Sequence, residues 1–195
     1  MTDPYSDPTS GVLRNSLAIT DRDALWAAEA DLTTASIAVL ISEPLPGRYD
    51  LAHLQAFHRR IFGRIYPWAG EIRTVTIAKT DMFCLPQYIE AYASSTFEEL
   101  AREKHLRGLP WDDFADRLTH YLAEVNAMHP FREGNGRTQR AFFGQLARQA
   151  DWPIDWSGLD PDENVDTAIA SLRGDNRPLR TMLEKLVVAT TNPNA

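Results

Sequence analysis

His129-Pro130-Phe131-Arg132-Glu133-Gly134-Asn135-Gly136-Arg137-Thr138-Gln139-Arg140 separates two stretches of helical periodicity, and the fold is read outward from it. Upstream, Trp111, Phe114, Leu118, Tyr121, Leu122, Val125 and Met128 recur at three- and four-residue steps; downstream, Ala141, Phe142, Leu146 and Ala147 resume the pattern. The segment is therefore a loop between two helices, with Gly134 and Gly136 bracketing Asn135 at the mouth of the second. Glycines there leave main-chain N–H groups open, and the helix dipole adds partial positive charge, which together make an anion site. Arg137 and Arg140 fall on one face of the following turns, and two guanidinium forks suit a polyphosphate. Glu133, beside the nest, is the type of hard oxygen ligand that Mg²⁺ shares with bound phosphates. His129 lies upstream, and an imidazole can act as general base near neutral pH. Base, metal ligand, anion nest and arginines within twelve residues point to phosphoryl or nucleotidyl transfer. Phe131 is expected to anchor the loop in the core.

Each member alone has a plainer reading: a helix-end histidine, a Gly-Asn-Gly turn, solvated arginines, a helix-start charge. Their conjunction does not, since eight specified positions arise by chance on the order of 10⁻¹⁰ per start site.

The rest of the chain reads as further helices. Residues 1–19 are rich in Asp, Pro, Ser and Gly and form an irregular lead-in. A helix is predicted over 21–41 from Leu25, Ala28, Leu32, Ala35 and Val39, and is stopped by Pro44, Pro46 and Gly47. Leu51, Leu54, Phe57, His58, Ile61 and Phe62 line a second, ended by Gly63 and Pro67, and Ile89, Ala93, Phe97 and Leu100 a third. Asp160-Pro161-Asp162-Glu163 is a capped helix start, a last helix spans about 178–188, and 190–195 should fray. Between the second and third helices, Arg73-Thr74-Val75-Thr76-Ile77 is β-branched, and Met82-Phe83-Cys84-Leu85 can return antiparallel after a turn at 78–81. A short β-hairpin over 72–85 is expected, with an ordinary loop as the alternative. The fold class is all-α: one compact helical domain over 1–195, carrying a small β-hairpin near the site.

The chain has 195 residues, 44% of them apolar, enough for a single core. Its 20 Lys+Arg against 27 Asp+Glu give a formal net charge of −7 and a pI near 5.2, which disfavours nucleic-acid binding. One cysteine, Cys84, precludes an internal disulfide framework and fits a reducing compartment. The N-terminus has no signal core and no apolar run approaches a membrane span of ~20 residues, so a cytoplasmic protein is expected.

The segment 129–140 resembles the full signature of the Fic (Fic/Doc) family, His-x-Phe-x-Asp/Glu-Gly-Asn-Gly-Arg-x-x-Arg, whose members mostly transfer AMP from ATP to protein hydroxyls. Further stretches resemble its bacterial toxin branch: Tyr66-Pro67-Trp68-Ala69-Gly70-Glu71-Ile72-Arg73-Thr74, Phe83-Cys84 ahead of Pro86, and Leu172-Arg173-Gly174-Asp175-Asn176 with Pro178-Leu179. The similarity runs from about Val12 to Val188. It implies a Fic-domain bundle in which His129 deprotonates the target hydroxyl and Glu133 holds Mg²⁺. Gly134, Asn135 and Gly136 would cradle phosphates, with Arg137 and Arg140 on the β/γ side. The hairpin would be the family's flap, which pairs with an extended target segment by strand addition. Thr76, Ile77, Ala78 and Lys79 would pair, and Met82 or Phe83 would clamp.

Many members carry a self-inhibiting helix with Ser/Thr-x-x-x-Glu-Gly/Asn. Ser95 to Glu99 comes nearest here but continues with Leu100. The resemblance therefore implies inhibition in trans by a small helical antitoxin whose glutamate reaches Arg140, with a degenerate internal helix as the alternative. It also suggests bacterial type II topoisomerases, DNA gyrase and topoisomerase IV, as targets. Phosphate transfer, another nucleotide donor or a silent binding module are the rival functions.

Other motifs lead nowhere. Asp160 to Asn164 resembles the start of a calcium loop, but Val165 occupies the turn-glycine position and Ser171 the bidentate-glutamate position. His53 and His58 lack partner ligands for zinc, and Trp26, Trp68, Trp111, Trp152 and Trp156 read as core or rim aromatics.

Overall fold

The structure, a computed structural model, describes residues 3–78 and 81–188. Among them are seven α-helices: α1 (Arg22–Ser42), α2 (Leu51–Phe62), α3 (Ile89–Arg102), α4 (Trp111–Met128), α5 (Asn135–Gln149), α6 (Pro161–Leu172) and α7 (Arg177–Leu186). Their starts follow local chemistry. Asp21 accepts from Ala24 N–H, Asp50 from His53 N–H, and Asp160 from the N–H groups of Asp162 and Glu163, with Pro161 at the first position.

Helix α4 is central. It packs on α3, α5, α6 and α7 and buries Phe114, Leu118, Tyr121, Val125 and Met128. Helix α5 lies between α4 and α2, where Phe142 meets Phe57 edge-on at 5.6 Å between ring centroids. Helices α6 and α7 form a hairpin against the far side of α4. The lead-in is irregular as expected, but it adds Tyr5 and Val12 to the core, and Asp3 bonds Arg132 at 2.6 Å.

Two expectations need correction. By length and composition α1, 21 residues holding an 18-residue window of mean hydropathy 1.4, passes as long and apolar enough to cross a membrane, against the expectation that no apolar run approaches a span. In the fold it packs on α2 and α5 and buries Leu25, Glu29, Thr33 and Leu40. The second concerns residues 72–85. Among the described residues no strand forms, and Ala78 and Met82 make a single antiparallel bridge, with Phe83 N–H 3.3 Å from Ile77 O. The reason is Arg73. Its guanidinium takes the carbonyls of Val75 and Cys84, its own N–H donates to Pro130 O, and Cys84 N–H donates to Ala127 O. Groups that a ladder would pair are spent on Arg73 and on the loop after α4. Lys79 and the expected fraying at 190–195 lie outside the described residues.

Candidate active site

The loop between α4 and α5 is built by three conformational locks. His129 ends α4 in the left-handed region (φ 46°, ψ 60°), its N–H still donating to Val125 O at 3.0 Å. Asn135 clamps the turn: its Oδ1 accepts Phe131 N–H at 2.9 Å and its Nδ2 donates to Phe131 O at 2.7 Å. Gly134 caps α5 at φ 80°, and a Cβ there would stand 2.3 Å from the Phe62 ring. The first helical hydrogen bond of α5 is Thr138 N–H to Gly134 O. The N–H groups of Asn135, Gly136 and Arg137 thus precede the ladder, as an anion nest requires. The Asn135 side chain is spent inside the loop, which leaves its main-chain N–H as the group it can offer a phosphate.

The structure parts the two arginines. Arg140 lines a cavity of about 210 Å³ together with His129, Gly136, Phe83 and the apolar faces of α6 and α7. Among the described residues it has no ion pair, and burial followed by the nearby Arg137 charge pushes its pKa down. Arg137 turns the other way, toward α1. It pairs with the buried Glu29 carboxylate, lies 3.3 Å from Thr33 Oγ1, and sits over the Phe62 ring at 4.9 Å. Tyr66 donates its hydroxyl to the same Glu29. Glu133 accepts Gly134 N–H at 2.9 Å and lies 3.6 Å from Arg137.

A polar shell behind this loop was not assigned from the sequence. His58 is fully buried and stacks on Phe131 at 4.0 Å. Gly70 N–H donates to its Nδ1 at 2.7 Å, so Nε2 carries the proton and donates to Glu133 O at 3.0 Å. Burial lowers its pKa to about 4. Arg73, 1% exposed, donates to His129 O at 2.7 Å and to Met128 O at 3.4 Å. Its pKa is also lowered by burial. The Tyr66-to-Thr74 stretch was visible as a motif, yet nothing in its pattern showed that it holds the loop from below. The apolar wall of the cavity (Val165, Ile169, Leu172, Leu179, Met182) was not assigned from the sequence either.

The Fic/DOC family model matches residues 48–147. The chain belongs to the Fic/DOC family. It is 40% identical over 94% of its length to protein adenylyltransferase VbhT of Bartonella schoenbuchensis, spanning 38% of that protein. To the probable protein adenylyltransferase y4lH of Sinorhizobium fredii it is 40% identical, over 95% of this chain and 96% of y4lH. The ADP-bound N-terminal Fic domain of a VirB-translocated Bep effector from Bartonella quintana superposes with a TM-score of 0.89 at 25% identity, covering 96% of this chain and 95% of that one.

Within this Fic fold Glu133 fits a magnesium shared with phosphates. Its carboxylate, with the side chain 42% exposed, is the acidic group of the loop and a hard oxygen donor, of which Mg²⁺ takes one or two beside phosphates. The residues expected to form the flap divide. Thr76, Ala78 and Met82 are exposed, Met82 by 65%, and Ile77 is partly buried. Phe83 is buried and its ring lies on the His129 imidazole at 3.7 Å and 14°. That position suits support of the imidazole better than a clamp on a target.

Proposed function

We propose that His129 takes the proton of a Ser, Thr or Tyr hydroxyl on a target protein as that oxygen bonds the α-phosphorus of ATP and pyrophosphate leaves. The wider activity rests on relatives that cover nearly all of the chain: it is a Fic-family protein adenylyltransferase. The observation that carries the site reading is the placement of Arg140. A half-buried cation with no ion pair among the described residues faces the same cavity as His129 and the open first turn of α5. A polyphosphate laid across Gly134, Asn135 and Gly136 reaches it, and the nucleoside enters the apolar part of the cavity. Magnesium held by Glu133 would neutralise charge on the α- and β-phosphates. Arg137 supports this site through Glu29 and Phe62, and Thr76, Ile77, Ala78, Lys79 and Met82 present main chain and one apolar side chain to the target.

The resemblance to the toxin branch supports a bacterial cytoplasmic toxin held by a separate antitoxin. Arg140 also lines a cavity with Ile37, Leu40 and Ile41 of α1, where an antitoxin helix can bring a glutamate to the guanidinium. Gyrase and topoisomerase IV are proposed as targets on that resemblance. Incubating the protein with bacterial lysate or purified gyrase and labelled ATP tests these readings together. Label from the α-phosphate held on protein supports AMP transfer. Label from the γ-phosphate indicates phosphotransfer, and no label indicates a binding module.

A further inference from the structure

We infer that Arg73 is the positioning residue for the His129 imidazole. The reading rests on His129 as the base. Arg73 is the largest fully buried side chain, and among the described residues no carboxylate pairs with it. A buried cation of this kind is costly unless its donors are all used. Here four of the five go to main chain. Nε donates to His129 O at 2.7 Å, one terminal nitrogen to Val75 O at 2.7 Å, and the other to Cys84 O and, at 3.4 Å, to Met128 O. The Arg73 N–H adds a bond to Pro130 O at 2.9 Å. Met128 and His129 close α4, so the guanidinium also sits at the negative end of that helix dipole.

Both halves of one ring contact are held by this one fork. On one side is His129, whose left-handed backbone costs about 1–2 kcal/mol and needs an outside restraint. On the other is the 83–84 segment, which lays Phe83 on the imidazole at 3.7 Å. With both carbonyls fixed to one rigid plane, the imidazole has a packed face and a set backbone. A lysine keeps the charge but has no planar fork, and so cannot span three segments.

Arg73→Lys tests this with three readouts. The first is the His129 Hε1 chemical shift, which the Phe83 ring current displaces; it should move toward the value of an unstacked imidazole. The second is ATP·Mg affinity by calorimetry, expected within about threefold of wild type, because the α5 nest and Arg140 are untouched. The third is turnover of α-labelled ATP onto lysate protein, expected to fall about a hundredfold, the loss typical of a misplaced reacting group. A variant with a lower melting temperature but an unchanged His129 shift and unchanged turnover would reduce Arg73 to a folding residue and overturn the inference. If Arg73→Lys does not fold, Phe83→Leu keeps the fork and loosens the stack. Its readout is turnover, since loss of the ring current changes the resonance whatever Arg73 does; turnover should fall, and undiminished turnover there overturns the inference as well. Labelling that survives His129→Ala would instead defeat the base reading, while the resonance still reports whether Arg73 holds the ring.

Discussion

Arg137 and Arg140 stand three positions apart on α5 and should fail in opposite ways. Removing Arg137 strands the Glu29 carboxylate, whose side chain is 8% exposed, with only the Tyr66 hydroxyl and weakened compensation. Arg137→Ala is expected to lose about 3 kcal/mol of stability, the low end for broken buried pairs because the Arg137 side chain is 26% exposed, visible as a lower thermal midpoint. Arg140→Ala removes a cation that burial already disfavours, so its midpoint should stay near wild type. Its ATP·Mg affinity by calorimetry should drop about tenfold or more, the worth of a charge-assisted bond. Gly134→Ala combines a left-handed φ with a Cβ in the Phe62 ring, and roughly 2–4 kcal/mol of destabilisation follows in urea unfolding. His129→Ala should leave all these stabilities alone in comparison and abolish labelling of target protein.

The segment between α2 and α3 shows which parts of the structure could be read in advance. The helices could: apolar spacing of three and four is written into α1 to α5, and Asp21 and Asp160 mark starts. The loop before α5 could, because Gly134, Asn135 and Gly136 stand contiguous at a helix start. The hairpin could not be corrected from sequence: alternation over 73–77 is real, but what decides its pairing is a buried arginine satisfied by carbonyls far along the chain. Glu29 was equally hidden, since it meets Arg137 across 108 positions and nothing in α1 sets it apart from Asp23 or Asp31. What remains of the expected flap is a tip with Met82 exposed beside the cavity rim. Met82→Asp is therefore expected to raise the KM for target protein severalfold through a lost apolar contact, with ATP·Mg affinity unchanged. Equal loss of both would place Met82 in the nucleotide site instead.

His58 links that segment to the loop between α4 and α5 and couples acid to the whole fold. Its ring accepts from Gly70 N–H and donates to Glu133 O, an arrangement only the neutral imidazole can make. Protonation would set a second ring N–H against the Gly70 N–H, in a pocket walled by Phe62, Trp68 and Phe131 and facing the charges of Arg137 and Arg59. The folded pKa, about 4, lies below the ordinary value of 6.5, so the unfolded chain takes up the proton first. The stability this histidine contributes is then complete above the unfolded value and drains away as pH falls from 6.5 toward 4. Between about pH 7 and about pH 4.5 the loss should be roughly 2–3 kcal/mol. Carboxylates titrate in the same window, so the measurement is a difference: urea unfolding of wild type against His58→Gln at both pH values. Wild type should be the more stable near pH 7, and the gap should close by that amount at the lower pH. A gap that stays constant would mean that the pocket accepts the proton, and that acid inactivation of the enzyme starts elsewhere than at the joint between Gly70 and Glu133.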